Sequence, residues 1–208
     1  MVRSECNFWK RNNNKHHQYK NFHCTCTGSN RQPGIKSVTV NKTVSCSMIL
    51  IYMSSGSYTG ALGGRNGADA KCDLGEMLGC QVHKAFLSVN NEDYIAHFTR
   101  VGVLSRLPIY WYSSQSGNIT PLANNWADLL GGPIMNSQLI GTGVNEWPWT
   151  GSTVAGQVDP NSTCLGWTTA ANNRWGMSGS PADRFSGWLA GWGRNCSLQG
   201  PIRCLCQK

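Results

Sequence analysis

Ten cysteines, at positions 6, 24, 26, 46, 72, 80, 164, 196, 204 and 206, constrain this 208-residue chain more than any other feature. An even number separated by long gaps reads as a disulfide framework, which persists in oxidising surroundings and is rare in a reducing cytoplasm. A secreted, periplasmic or cell-surface location is therefore expected. The first 24 residues nonetheless show no apolar run of signal-peptide type. The longest apolar stretch, MILIYM at 48–53, is too short to cross a bilayer, so no transmembrane segment is predicted.

Charge divides the chain. Eight of its 18 basic residues and one of its 10 acids precede residue 49, and the remainder is nearly balanced. Residues 1–43 also lack any sustained hydrophobic period, which predicts a basic, polar, poorly ordered segment ahead of a domain at 44–208. Basicity alone does not make a nucleic-acid site, and the head shows neither zinc-finger spacing nor a recognition helix. No nucleic-acid partner is expected.

Within the domain, SMILIYMSS reads as a buried strand, followed by an irregular loop with glycines at 56, 60, 63, 64 and 67. Asn66 or Asp69 is a candidate cap for a helix bearing Ala68, Cys72, Leu74, Met77 and Leu78 on one side, with Gly79 as its stop. HKAFLS at 83–88 and LPIYWY at 107–112 read as strands, and YIAHF at 94–98 fits a short helix or a strand. Beyond residue 113 turn residues dominate and helical periodicity is absent. GPIRCLCQK has the content of a closing strand that returns to the sheet begun near residue 48.

Taken in order, IYMSSGSYTGALGGRNGADAKC, KAFLS, ANNWADLLGG, EWPWTGS, TCLGWTTA and NCSLQGPIRCLCQ resemble one family over residues 49–208. It is a group of bacterial secreted domains of unknown function related to the collagen-derived endostatin domain, within the C-type-lectin-like superfamily. The resemblance implies an α+β, C-type-lectin-like (endostatin-like) fold, with short helices around a twisted, mostly antiparallel sheet and long disulfide-stapled loops. It further implies bridges Cys72–Cys204 and Cys164–Cys196. Cys80 and Cys206 are extra to the family pattern. They pair with each other, or Cys206 replaces Cys204 as the partner of Cys72, and the sequence does not choose.

Chemistry is sparse. The glycines of GALGGRNGADAK end in neither Gly-Lys-Ser/Thr nor a G-x-G-x-x-G fingerprint, so they are read as serving a turn rather than a phosphate. No G-x-S-x-G elbow occurs, and His83 and His97, the two histidines of the domain, lie in strand-like or mixed apolar runs. No catalysis is expected. Calcium is weakly motivated: Asn145, Glu146 and Asp159 offer oxygen donors around the DPN turn, yet the calcium-binding tripeptide and the Trp-Asn-Asp strand of calcium-dependent lectins are missing. The histidines at 16, 17 and 23 do not match endostatin's zinc motif, so no cofactor is expected.

Aromatic surface remains. Eight of the nine tryptophans follow residue 110. Trp111, Trp126, Trp167 and Trp188 are expected to fill the core, because a loop-rich domain needs large side chains there. Trp147, Trp149, Trp175 and Trp192, with Arg174, Arg194 and Asn145, are the candidate ligand-binding residues, since rigid rings beside hydrogen-bonding groups suit both sugars and protein surfaces. Arg174, Arg184 and Arg194 are read alternatively as a basic patch for acidic polysaccharide. The expected function is an extracellular binding domain for a glycan or a host or matrix protein. A non-binding structural module of an envelope or appendage competes with it, and a secreted hydrolase ranks third.

Overall fold

The computed structural model describes residues 47–137 and 147–208, together with the backbone of strands β1 (Glu5–Phe8) and β2 (Cys24–Thr27). The chain divides into two units, Met1–Ser47 and Met48–Lys208. In the first, β1 and β2 pair antiparallel, with Cys6 opposite Cys26.

The second unit is a mixed α+β domain built on a five-stranded, largely antiparallel sheet. Its strands are β3 (Ile49–Met53), β4 (Val82–Ala85), β5 (Ile109–Tyr112), β6 (Ile119–Ala123) and β9 (Arg203–Gln207), in the spatial order β4-β9-β3-β5-β6. The β3–β5 pair is parallel and the other three pairs are antiparallel. A second ribbon is formed by β7 (Trp175–Ser178) and β8 (Trp192–Asn195). The apolar run ILIYM becomes the central strand because it has neighbours on both edges and is buried on both faces, as a strand with no polar alternation must be.

Pairing register sorts the two faces, since successive side chains point to opposite sides. Ile49 and Ile51 of β3 share a face with Ile109 and Trp111 of β5 and Leu205 of β9, and this face carries the main core. Phe86 is its centre, with ring centroids 6.1 Å from Phe98, 6.0 Å from Trp126 and 5.8 Å from Trp188. Leu50, Tyr52, Cys204 and Cys206 occupy the opposite face. There the Cys72–Cys204 and Cys80–Cys206 bridges tie the helical segment to the last strand, which settles the partner of Cys206. Among the described residues a further bridge, Cys164–Cys196, joins positions 32 residues apart.

The helices depart from expectation. The single helix expected from Asn66 or Asp69 is two short ones, α1 (Gly64–Asp69) and α2 (Gly75–Leu78). Position Gly63 caps α1 with φ of 88°, and Gly79 ends α2 with φ of 67°. Neither candidate cap acts as one: the Asp69 carboxylate instead accepts from Arg65 Nη1 and the Ala85 N–H. Met77, expected on the buried side, is exposed because the break between the helices turns it outward. Residues Ile95–Arg100 form a 3-10 helix. In the supposedly helix-free half, ANNWADLLGG forms α3 (Trp126–Gly131), whose Asn125 side chain accepts from the Asp128 N–H. Six residues are too few to display a 3.6 period, so the cap was its only sequence signal.

Tyr52 and His83 meet behind the sheet, with the phenol oxygen 2.7 Å from Nε2. Burial pushes the Tyr52 phenol up and the His83 imidazole down, the latter against the opposing fields of Asp69 and Asp73. A depressed imidazole means that the unfolded chain takes up a proton at a higher pH than the native one. The stabilising contribution is therefore complete above the ordinary imidazole range, and is lost as pH falls from there toward the lower native value. Urea midpoints measured between pH 7 and 5 are expected to fall with acidity, and to fall less in H83Q. An identical slope in both proteins would remove His83 as the cause.

Candidate functional site

The β7–β8 ribbon lies directly on the Cys164–Cys196 bridge. It does so through Gly176, where an added Cβ would sit 2.8 Å from both Cys164 Sγ and Trp149 Cζ3. Register places Trp175 opposite Asn195 and Ser178 opposite Trp192, so the two indoles emerge at opposite ends of the ribbon and on alternate sides. Three residues along a strand separate them by roughly 10 Å. Trp175 is 52% exposed and Trp192 67% exposed.

Each end gathers further apolar surface. At the Trp175 end, Thr163 bridges Gly176 and leads into the turn α4 (Cys164–Trp167), while Leu198 N–H donates to the carbonyl of Asn195, the cross-strand neighbour of Trp175. Leu165, in that turn, and Leu198, three residues past Asn195, are exposed as well. Leu165 sits in the left-handed region with φ of 55°, as do Cys164 and Trp167, an arrangement that L-residues adopt only where the surroundings enforce it. The bridge at Cys164, the Thr163 hydroxyl accepting from Gly166 N–H and Trp167 Nε1 donating to Ser88 O at 2.8 Å supply that enforcement. At the other end, Trp147 packs its indole against Gly191, the residue before Trp192, and exposed Phe185 lies on the adjoining 180–188 loop.

The remaining candidates are distributed unevenly. Trp149, read as a ligand-binding candidate, is fully buried, donates from Nε1 to Tyr58 O at 2.8 Å and packs 5.7 Å from Trp167. Arg194 is likewise turned inward. Its guanidinium lies 5.0 Å over the Trp149 ring and donates to the carbonyls of Trp147 and Gln199. With Arg184 donating to Ile134 O, two of the three arginines read as a basic patch serve the backbone instead. Arg174 is exposed beside Trp175. Asn145 and Glu146 lie outside the described residues. Asp159 Oδ1 accepts from Asn161 N–H in its own turn, and among the described residues no group of three His, Cys, Asp or Glu side chains could hold a metal ion. Trp111, Trp126, Trp167 and Trp188 all lie in the core.

Among the described residues no hydrolytic constellation surrounds either histidine. His83 is held by Tyr52, and His97 stacks on Tyr94 with its Nε2 2.6 Å from the phenol oxygen. Sequence reasoning missed Leu165, Leu198 and Phe185 because isolated exposed apolar residues carry no local signature. Among the described residues no helix is long and apolar enough to cross a membrane. No family model matches the chain, and no curated protein matches it.

Proposed function

We propose that this chain is an extracellular or cell-surface binding domain of the C-type-lectin-like, endostatin-like type, which recognises a glycan or a matrix protein through the β7–β8 ribbon. The fold part of this reading draws support from the first and last strands of the unit lying side by side and from the nested bridges to the C-terminal strand. The binding part rests on one observation: Trp175 and Trp192 are both exposed on a ribbon that rests on a disulfide and a buried tryptophan. Preorganised apolar surface of this kind loses little entropy on association. Exposed Leu165, in the segment bridged to β7, and Leu198, just past β8, favour a protein partner, because a sugar-binding surface is ordinarily bordered by hydrogen-bonding groups.

The test is binding of the oxidised full chain to immobilised matrix proteins and a glycan panel, repeated with W175A and W192A. Both side chains are exposed, so unfolding midpoints should shift by no more than about 0.5 kcal/mol. Loss of a central aromatic anchor should weaken binding by at least about tenfold. Silence of the wild-type chain on both panels would instead favour a structural module. Binding that survives both substitutions would move the site off the ribbon.

A further inference from the structure

The outer edge of β8 carries a hydrogen-bonding pattern that complements itself. Cys196 N–H donates to Arg174 O, while Met177 N–H turns away from β8 to Ser162 O. Bonded and unbonded pairs alternate along an antiparallel ladder, so Trp192 and Arg194 bond to β7, and the N–H and C=O of Gly193 point away from it. β8 has no second neighbour, and among the described residues only the Asn195 carbonyl on this edge is taken, by Leu198 N–H. The edges of the main sheet are capped instead. On β4, Ala85 N–H donates to Asp69 and Ala85 O accepts from Arg65. On β6, Pro121 has no N–H, its carbonyl accepts from Asn136, and Leu122 O accepts from Met135 N–H. An edge left open where others are capped is a template for one more strand.

Side chains narrow the choice of strand. Trp192 shares one face of the ribbon with Ser178 and Arg194, and Trp175 shares the other with Gly193 and Asn195. The Trp175 indole leans across to β8, where its Cε3 lies 4.0 Å from the position that a Cβ on Gly193 would take. A ligand resting on one face would cover one indole and leave the other in water, whereas a strand added at the edge borders both. When that strand is β8 of a second copy, paired antiparallel about Gly193, each glycine donates one N–H and accepts one. The absent side chains then let the two Trp175 rings lie about 5.5 Å apart above the glycine pair, within the range at which aromatic rings interact. On the other face, Trp192 of each copy falls opposite Arg194 of the other. A shift that set Gly193 opposite Asn195 would place Arg194 against Arg194, two like charges, so the register is specified. Twofold symmetry closes the assembly at two copies, because each edge is used up by the other.

We infer that the protein forms a symmetric dimer by pairing β8 edge to edge with β8 of a second copy, which joins the two ribbons into one four-stranded sheet with Gly193 at its axis. This rests on the reading of the ribbon as a contact surface, and not on the glycan or matrix partner proposed for it. Sedimentation velocity of the full oxidised chain from about 1 to about 300 μM should show a reversible monomer–dimer equilibrium with a Kd on the order of 10 μM. The Gly193 amide should exchange at least about fivefold more slowly at the upper concentration than at the lower. G193P deletes the outward N–H and spares the bonds to β7, as proline does on an edge strand, and should raise Kd at least about 100-fold with an unchanged urea midpoint. W175A should raise it about tenfold. The inference is overturned if the wild-type chain stays monomeric throughout, if G193P or W175A dimerises as well as wild type, or if Gly193 exchanges equally at both concentrations. A wild-type monomer that binds matrix protein would overturn the dimer and leave the proposed function standing, and a dimer silent on both panels would do the reverse.

Discussion

Deleting either bridge to the C-terminal strand, as C72A/C204A or C80A/C206A, is expected to cost about 3 kcal/mol, and deleting both about 8. The sum is not additive because the two bridges constrain nearly the same loop. Each spans a long separation, 132 and 126 residues, for which unfolded-chain entropy gives about 5 kcal/mol in isolation. Once one is closed, the other closes only the short circuit running from 72 to 80 and back from 204 to 206. That circuit is about ten residues, worth about 3 kcal/mol in the same treatment. Either bridge therefore makes up about 2 of the roughly 5 kcal/mol that the other supplies alone. The fourfold variant loses more than half of the stability that a domain typically possesses, about 5–15 kcal/mol, and should populate unfolded chain at moderate urea. Urea titrations of the four oxidised proteins measure the coupling directly. A combined loss equal to the sum of the two single losses would show that the bridges act through separate local contacts, not through a shared loop.

The cysteine pattern, the central strands and the four core tryptophans were legible because each rests on a short-range signal. ILIYM and IYWY are continuous apolar runs, and RCLCQ is an apolar, cysteine-bearing closing run that pairs back with β3 as expected. The ribbon was not legible in the same way. Trp147 and Trp149 flank one proline in nearly equivalent local surroundings, yet Trp149 alone is drawn to full burial. Its backbone bridges both Ser178 and Ile202, and its Nε1 bonds Tyr58, 91 residues away. Partners so distant in sequence leave no periodicity to read. Gly176 was equally silent, because its value lies in the missing Cβ that lets the ribbon rest on Cys164 and Trp149. The α1–α2 break escaped for a related reason. Asp69 looks like a cap in isolation, and only the approach of Arg65 and β4 diverts its carboxylate.

Arg65 gives the glycine-rich stretch GGRNGADAKC its purpose, and R65M is expected to destabilise the domain by about 3 kcal/mol. Gly63 and Gly64 turn the chain into α1 through positive φ, and a Cβ on Gly67 would lie 2.2 Å from Leu62 O, so only glycine permits the close turn. That turn delivers the Arg65 guanidinium to four acceptors at once. Nη1 donates to Ala85 O at 2.7 Å and Nη2 to Leu87 O at 2.6 Å, while Nε and Nη2 clasp the Asp93 carboxylate and Asp69 closes the other side. The guanidinium also lies 5.4 Å over Phe98. An exposed ion pair would be worth well under 1 kcal/mol, but the Arg65 side chain is only 15% exposed and two of its acceptors are backbone carbonyls that a methionine cannot satisfy. R65K should recover little, since one ammonium cannot span a carboxylate and two carbonyls in the geometry of the planar fork. Denaturant midpoints rank the three proteins, and amide exchange locates the damage, with protection expected to fall first between residues 85 and 93, where the arginine pins the strand that leads to Phe86. Near-wild-type stability in R65K would show that charge alone, and not the forked geometry, holds this segment.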